Sequence, residues 1–218
     1  MRSQYVNFIA YPAVLLMSFS AFKYIKSDSS NSNSEKAAVK EVLEMGPFEE
    51  TENEEESGDL NLRDYSLATS SADSFISFKE ALAFKESRGQ HWRVNTLGYM
   101  GKYQFGAVTL RHFGVTDTTA FLKSVRLQER VFIQNLRYNH KILKPYIEKY
   151  EGKTIAGVEV TESGILAAAH LSGPGGVKKF LKSNGRKSNR DAYGSSTRSY
   201  MKKFGGYDLS KVLKVTRA

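Results

Sequence analysis

Apolar and polar positions change rhythm several times along the 218-residue chain. Residues 8–22 form a mostly apolar run with Arg2 before it and Lys23 and Lys26 after it. At 15 residues the run is shorter than the ~20 that a spanning helix needs, and Pro12 lies near its start. Residues 1–26 therefore read as a signal peptide or an N-terminal membrane anchor. Small residues at Ser18 and Ser20 suit cleavage, whereas the two lysines after the run suit an uncleaved anchor held at a membrane surface.

Apolar residues then become sparse. Residues 27–72 open with a serine- and asparagine-rich stretch and continue into Glu49, Glu50, Glu52, Glu54, Glu55 and Glu56. Such a segment has too little to bury and is expected to be a disordered acidic linker, with a transient helix over residues 36–45. A periodic pattern resumes near Asp73, and residues 73–208 read as one mostly α domain with a small β element. Residues 209–218 read as a basic C-terminal tail.

Within the domain, Ser77 and Glu80 have capping-box spacing and predict a helix start, with Gly89 as its left-handed stop. Residues 95–106 contain three glycines, too many for a stable helix, and predict a loop with short extended pieces. A short helix is expected from Ala107 to Phe113, closed by Gly114. The longest helix is expected from Ser124 to Leu143, ended by Lys144-Pro145 and running through the centre. Residues 153–161 carry β-branched residues on both sides of Ala156-Gly157 and predict a hairpin delivering the chain to Thr161, an N-cap. The helix that follows is expected to break at Gly173-Pro174-Gly175-Gly176. Residues 183–196 are polar and loop-like, and a last helix from Thr197 to Phe204 stops at Gly205-Gly206.

Charge sharpens this division. Residues 1–72 hold 6 basic and 12 acidic side chains, net −6, while residues 73–218 hold 26 basic and 11 acidic, net +15. A domain so basic favours polyanions. Its basic pairs are dispersed and match no nucleic-acid-binding module, so no nucleic-acid partner is expected. The chain has no cysteine, which removes disulfides, thiolate metal sites and thiol nucleophiles. The four histidines lack metal-ligand spacing, and neither a metal nor another cofactor is expected.

Phe78, Leu82 and Glu86 are spaced by four, which sets a carboxyl group in line with an apolar stripe at a helix end. Partial desolvation at such a place favours the neutral, proton-donating form, so Glu86 is the leading candidate for general acid. The competing reading is a helix-terminal glutamate in solvent or paired with Arg88 or Arg93.

Three segments in order carry a resemblance: Glu86-Ser87-Arg88-Gly89, then residues 101–105 (Gly-Lys-Tyr-Gln-Phe), then residues 168–173 (Ala-Ala-His-Leu-Ser-Gly). Over roughly residues 75–206 the chain resembles the lysozyme-like soluble lytic transglycosylases of bacteria. The resemblance implies a lysozyme-like helical domain in the cell envelope. It also implies cleavage of the β-1,4 bond between N-acetylmuramic acid and N-acetylglucosamine in peptidoglycan, with Glu86 as sole acid and base and 1,6-anhydro ends as product. It nominates Ser87, Tyr103, Gln104, His170 and Gly173 as substrate-binding residues. Two departures stand out: Lys102-Tyr103 where the family has Leu-Met, and His170-Leu171 where it has Tyr-Asn.

Other readings stay open on the residues alone. A hydrolase ordinarily uses a second carboxylate, for which Glu129, Glu162 and Asp117 are available. A glycan-binding module that no longer cuts fits the altered motif positions. Gln104 either bonds a sugar N-acetyl group or Glu86, or satisfies loop backbone; Trp92 and Tyr99 either stack on sugars or pack on the core.

Overall fold

The computed structural model describes residues 62–214, with side chains described from Asp73 to Lys214. The expectations for the apolar N-terminal run and for residues 27–61 lie outside the described residues. Seven helices and one hairpin follow in order among the described residues: α1 (Leu62–Ser87), α2 (Ala107–His112), α3 (Thr118–Lys123), α4 (Val125–Tyr150), β1 (Thr154–Ile155), β2 (Val158–Glu159), α5 (Glu162–Lys182), α6 (Thr197–Lys203) and α7 (Ser210–Leu213). The domain is mostly helical, and its single named sheet has two strands. No described helix is long and apolar enough to cross a membrane.

α1 stops where glycine chemistry predicts. Arg88 and Gly89 both take positive φ, and the Gly89 amide donates back to the Ala83 carbonyl at 3.2 Å. Its start is different. The expected start at Ser77 is wrong, because that residue lies mid-helix and is exposed, and Glu80 reaches Lys102 instead of a helix end. The far end of the chain holds the helix on both sides of Ser77: the Asp208 amide donates to Ser74 Oγ at 2.8 Å, and Tyr207 packs edge-on against Phe78. Residues 62–72, assigned to the linker from composition, are helical. Within residues 209–214, the described part of the expected C-terminal tail, Leu209 and Val212 are buried in the core.

α4 begins where expected, capped by Ser124, whose Oγ accepts from the Leu127 amide at 3.1 Å. It continues through Pro145 to Tyr150 rather than ending at Lys144. Leu143 and Ile147 are both buried, so core contacts on either side of the proline carry the helix past the missing hydrogen bond. α3, capped by Asp117 accepting from two backbone amides, had no counterpart in the sequence reading. The 153–161 hairpin is as expected, with Ala156 and Gly157 at positive φ between pairs Ile155↔Val158 and Thr154↔Glu159.

The central helix is α5, not α4. Residues 163–169 are buried without interruption, while α4 keeps an exposed side. α5 packs on both α4 and α6. Gly164 makes the α6 contact feasible, because a Cβ there would sit 2.7 Å from the Met201 carbonyl oxygen. The expected break in α5 is confined to Gly173, at φ 68° and ψ 167°, a conformation open to glycine. The helix resumes at Pro174.

Candidate functional site

Glu86 lies at the last turn of α1, half-buried, and its Oε1 accepts a 2.6 Å hydrogen bond from the Tyr200 hydroxyl of α6. Tyr200 is itself buried beside Phe204. Burial, then the charge and the hydrogen bond of Glu86, then the charge of Asp191 push the Tyr200 hydroxyl far above its ordinary value. It therefore stays a donor across the physiological range. Asp191 Oδ1 accepts from the amides of Tyr193 and Ser195, which fixes the turn leading into α6.

That turn and the end of α1 enclose an open cavity of about 300 Å³. Lys85 and Lys203 are its charged lining residues, with Tyr193, Gly194, Ser195, Ser199 and Tyr200 around them. The Tyr193 hydroxyl also reaches the Thr96 hydroxyl at 2.8 Å, joining this turn to the 88–106 loop. Along that loop Trp92 and Tyr99 are 63% and 45% exposed. Neither is buried in the core.

The three segments that carry the resemblance meet. Ser87 Oγ donates to the Lys102 carbonyl at 2.7 Å, joining the first to the second, and His170 Nε2 lies 2.9 Å from the Tyr103 carbonyl, joining the second to the third. Their side chains are largely occupied by the fold. Ser87 is fully buried, so its hydroxyl holds loop to helix rather than substrate. Tyr103 is fully buried too, stacked on Phe132 at 4.1 Å with its hydroxyl on Glu129, and is a core residue rather than a sugar platform. The Gln104 amide nitrogen donates to the carbonyls of Gly101 and Arg93, so its amide satisfies loop backbone. His170 Nδ1 faces the Asn135 amide at 3.4 Å, and a ring carrying its proton on Nε2 satisfies both partners. Gly173 makes the break in α5, with open space where a side chain would be.

Glu129 has a different environment from Glu86. Its oxygens receive Lys102 at 2.8 Å, Lys79 at 3.1 Å and the Tyr103 hydroxyl at 2.8 Å. Burial pushes this carboxyl up, but the Lys102 bond, the Lys79 charge and the Tyr103 bond outweigh it and hold Glu129 below the ordinary range. Lys102 responds in the opposite sense: burial lowers it, and the bonds to Glu129 and Glu80 raise it overall. Glu162 pairs with His140 at 3.1 Å, and Asp117 caps α3. All three carboxylates considered as a second catalytic group are thus engaged in the fold. Among the described residues no group of three His, Asp or Glu could hold a metal ion.

No protein-family model, curated protein or solved structure matches this chain. The site therefore stands on its own geometry. Its missed members are Tyr200 and the Asp191–Ser195 turn. Tyr200 comes 114 positions after Glu86. Locally it shows only the apolar spacing of a short helix with Met201 and Phe204, so no signal along the chain pairs it with an acid.

Proposed function

We propose that the domain is a lysozyme-like lytic transglycosylase of the cell envelope, cutting the glycan strands of peptidoglycan with Glu86 as acid and base. The observation that carries this reading is the Glu86–Tyr200 pair. It is a half-buried carboxyl group with one oxygen fixed at 2.6 Å by a buried hydroxyl, beside an open cavity. The engagement of Glu129, Glu162 and Asp117 elsewhere favours chemistry that needs one carboxyl group.

The protonated Glu86 gives its proton to the glycosidic oxygen as the C1–O4 bond breaks, and positive charge develops at C1 of the muramic acid. Tyr200 donates to Oε1 throughout and stabilises the carboxylate left behind. That carboxylate then takes the proton of the C6 hydroxyl as O6 attacks C1. The product is a 1,6-anhydro ring, no water is consumed, and Glu86 ends protonated as it began. Exposed Trp92 and Tyr99 offer faces for sugar rings.

Incubating the chain with purified sacculi and weighing the soluble products tests the reading. Anhydro-muropeptides are expected from the wild type and none from Glu86→Gln; their absence from the wild type refutes the proposal. Asp191 favours a second reading, because its charge, like that of Glu86, acts on the Tyr200 hydroxyl. Were it a second catalytic carboxylate, products would carry an added water and Asp191→Asn would abolish them.

A further inference from the structure

Away from Glu86, four lysines gather around two tyrosines. Tyr146 and Tyr150 stand four apart on α4, half-buried against the core, with their rings 13° from parallel and the centroids 6.3 Å apart. Lys149 and Lys153 lie over the Tyr150 ring at 5.4 and 5.6 Å, and Lys178 and Lys182 of α5 lie over the Tyr146 ring at 5.7 and 5.6 Å. A ring face attracts an ammonium group but does not neutralise it. Among the described residues no carboxylate pairs with Lys149, Lys153 or Lys178. The neighbouring Glu151 accepts from the Glu162 amide instead. Four positive charges converging on one ring pair favour an anionic partner.

The chain itself carries acids of matching period. Glu50, Glu52, Glu54 and Glu56 occupy every second position of the acidic run. In an extended chain such positions share one face, about 6.6–7 Å apart, while Glu49 and Glu55 fall on the other. That repeat is close to the 6.3 Å between the rings, each of which gathers two lysines. Chain length permits the meeting. From Glu56 to Leu62, the first residue of α1, six extended steps reach about 20 Å. α7 packs on both α1 and α4, and Arg137 of α4 donates to the Val212 carbonyl at 2.9 Å. From Arg137 to Tyr146 is about 14 Å along the helix, a distance of the same order as that reach. Because the two partners belong to one chain, their effective concentration is high and individually weak pairs suffice.

We infer that residues 50–56 dock on this patch of their own chain, with Glu50, Glu52, Glu54 and Glu56 facing Lys149, Lys153, Lys178 and Lys182. The inference does not depend on the peptidoglycan reading. The contact closes the patch to other polyanions at low ionic strength and opens it as salt screens the pairs.

Two measurements on the full chain test it. In the first, a carbodiimide joins carboxylates to amines already in contact, and the linked peptides are identified by mass spectrometry. Links should connect the four alternate glutamates to the four lysines, with a yield independent of protein concentration. Raising sodium chloride from about 0.1 M to about 1 M shortens the screening length from about 10 Å to about 3 Å and should cut that yield severalfold. In the second, acetylation of the four lysines should run about fivefold faster in Glu50→Gln/Glu52→Gln/Glu54→Gln/Glu56→Gln than in the wild type, and at the wild-type rate in Glu49→Gln/Glu55→Gln. Absence of links to the patch, links spread equally over Lys85, Lys202 and Lys203, or a yield that rises with protein concentration overturns the inference. Equal acetylation of all three proteins overturns it too. So does slowing of that acetylation by phosphatidylglycerol vesicles in a chain that gives no patch links, which would make the patch a lipid-facing surface.

Discussion

Replacing Glu129 by Gln removes a negative charge from between two partly buried ammonium groups and weakens the acceptor of the Tyr103 hydroxyl. Hydrogen bonds to charged groups contribute about 1.5–3 kcal/mol each, and breaking a well-buried pair costs about 3–5 kcal/mol. Here the three side chains are 12–22% exposed, so water recovers part of the loss, and Lys102 keeps its 2.7 Å contact with Glu80. The expected cost is therefore about 2–3 kcal/mol at neutral pH, a fall in melting temperature of about 5–10 °C for a folded unit of ~150 residues. The sign with pH follows from the lowered pKa of Glu129. Its contribution is complete above the ordinary glutamate value of 4.5 and is lost as the pH drops through the lower folded value. Thermal melts of both proteins followed by circular dichroism at about pH 7 and about pH 3 should show the gap narrowing in acid, as the wild-type side chain takes up a proton and its charge is lost. A gap below ~2 °C at neutral pH, or one of equal size at both pH values, would refute a stabilising role for this cluster.

Three further outcomes are expected. Tyr200→Phe keeps the buried ring but removes the donor to Glu86, so kcat on sacculi should fall by about 10- to 100-fold, the equivalent of ~1.5–3 kcal/mol, and the melting temperature should fall by a few degrees as well. Gly173→Ala meets open space but an unfavourable backbone conformation, and urea unfolding should show a loss of about 1–3 kcal/mol. Val212→Asp puts a charge into the contact between the C-terminal segment and the core, and should lower stability by about 3 kcal/mol or more in the same assay.

Local signals were legible from the sequence. Gly89 and Gly114 mark helix ends because left-handed residues there close the last carbonyls, and Ser124 and Thr161 mark starts because their hydroxyls accept from the first turn. The Ala156-Gly157 turn, the interruption at Gly173 and the helix from Thr197 are of the same kind, although that helix is not the last, since α7 follows it. Signals that depend on distant partners were misread. Ser77 and Glu80 have the spacing of a helix start, yet packing by Tyr207 and Asp208 extends α1 upstream of them. Pro145 has the form of a stop, yet buried Leu143 and Ile147 carry α4 through it.

The candidate site divides along the same line. Glu86 was legible because a spacing of four placed it on the apolar stripe of Phe78 and Leu82, both fully buried in the structure. Tyr103 and Trp92 were not, since an aromatic residue in a glycine-rich loop carries no mark of which way it will face: the first is buried against Phe132 and the second is exposed.

By itself, then, the amino-acid order determined the helical character, the turns and the acid at the end of α1, because these depend on hydrogen bonds and periodicities spanning a few residues. Only the tertiary structure decided that α5 is central, that Glu129 is locked between two lysines, and that Tyr200 and a two-lysine cavity stand beside Glu86. Those facts depend on which surfaces meet when the apolar faces of α4, α5 and α6 are buried together, and sequence spacing carries no information about that docking.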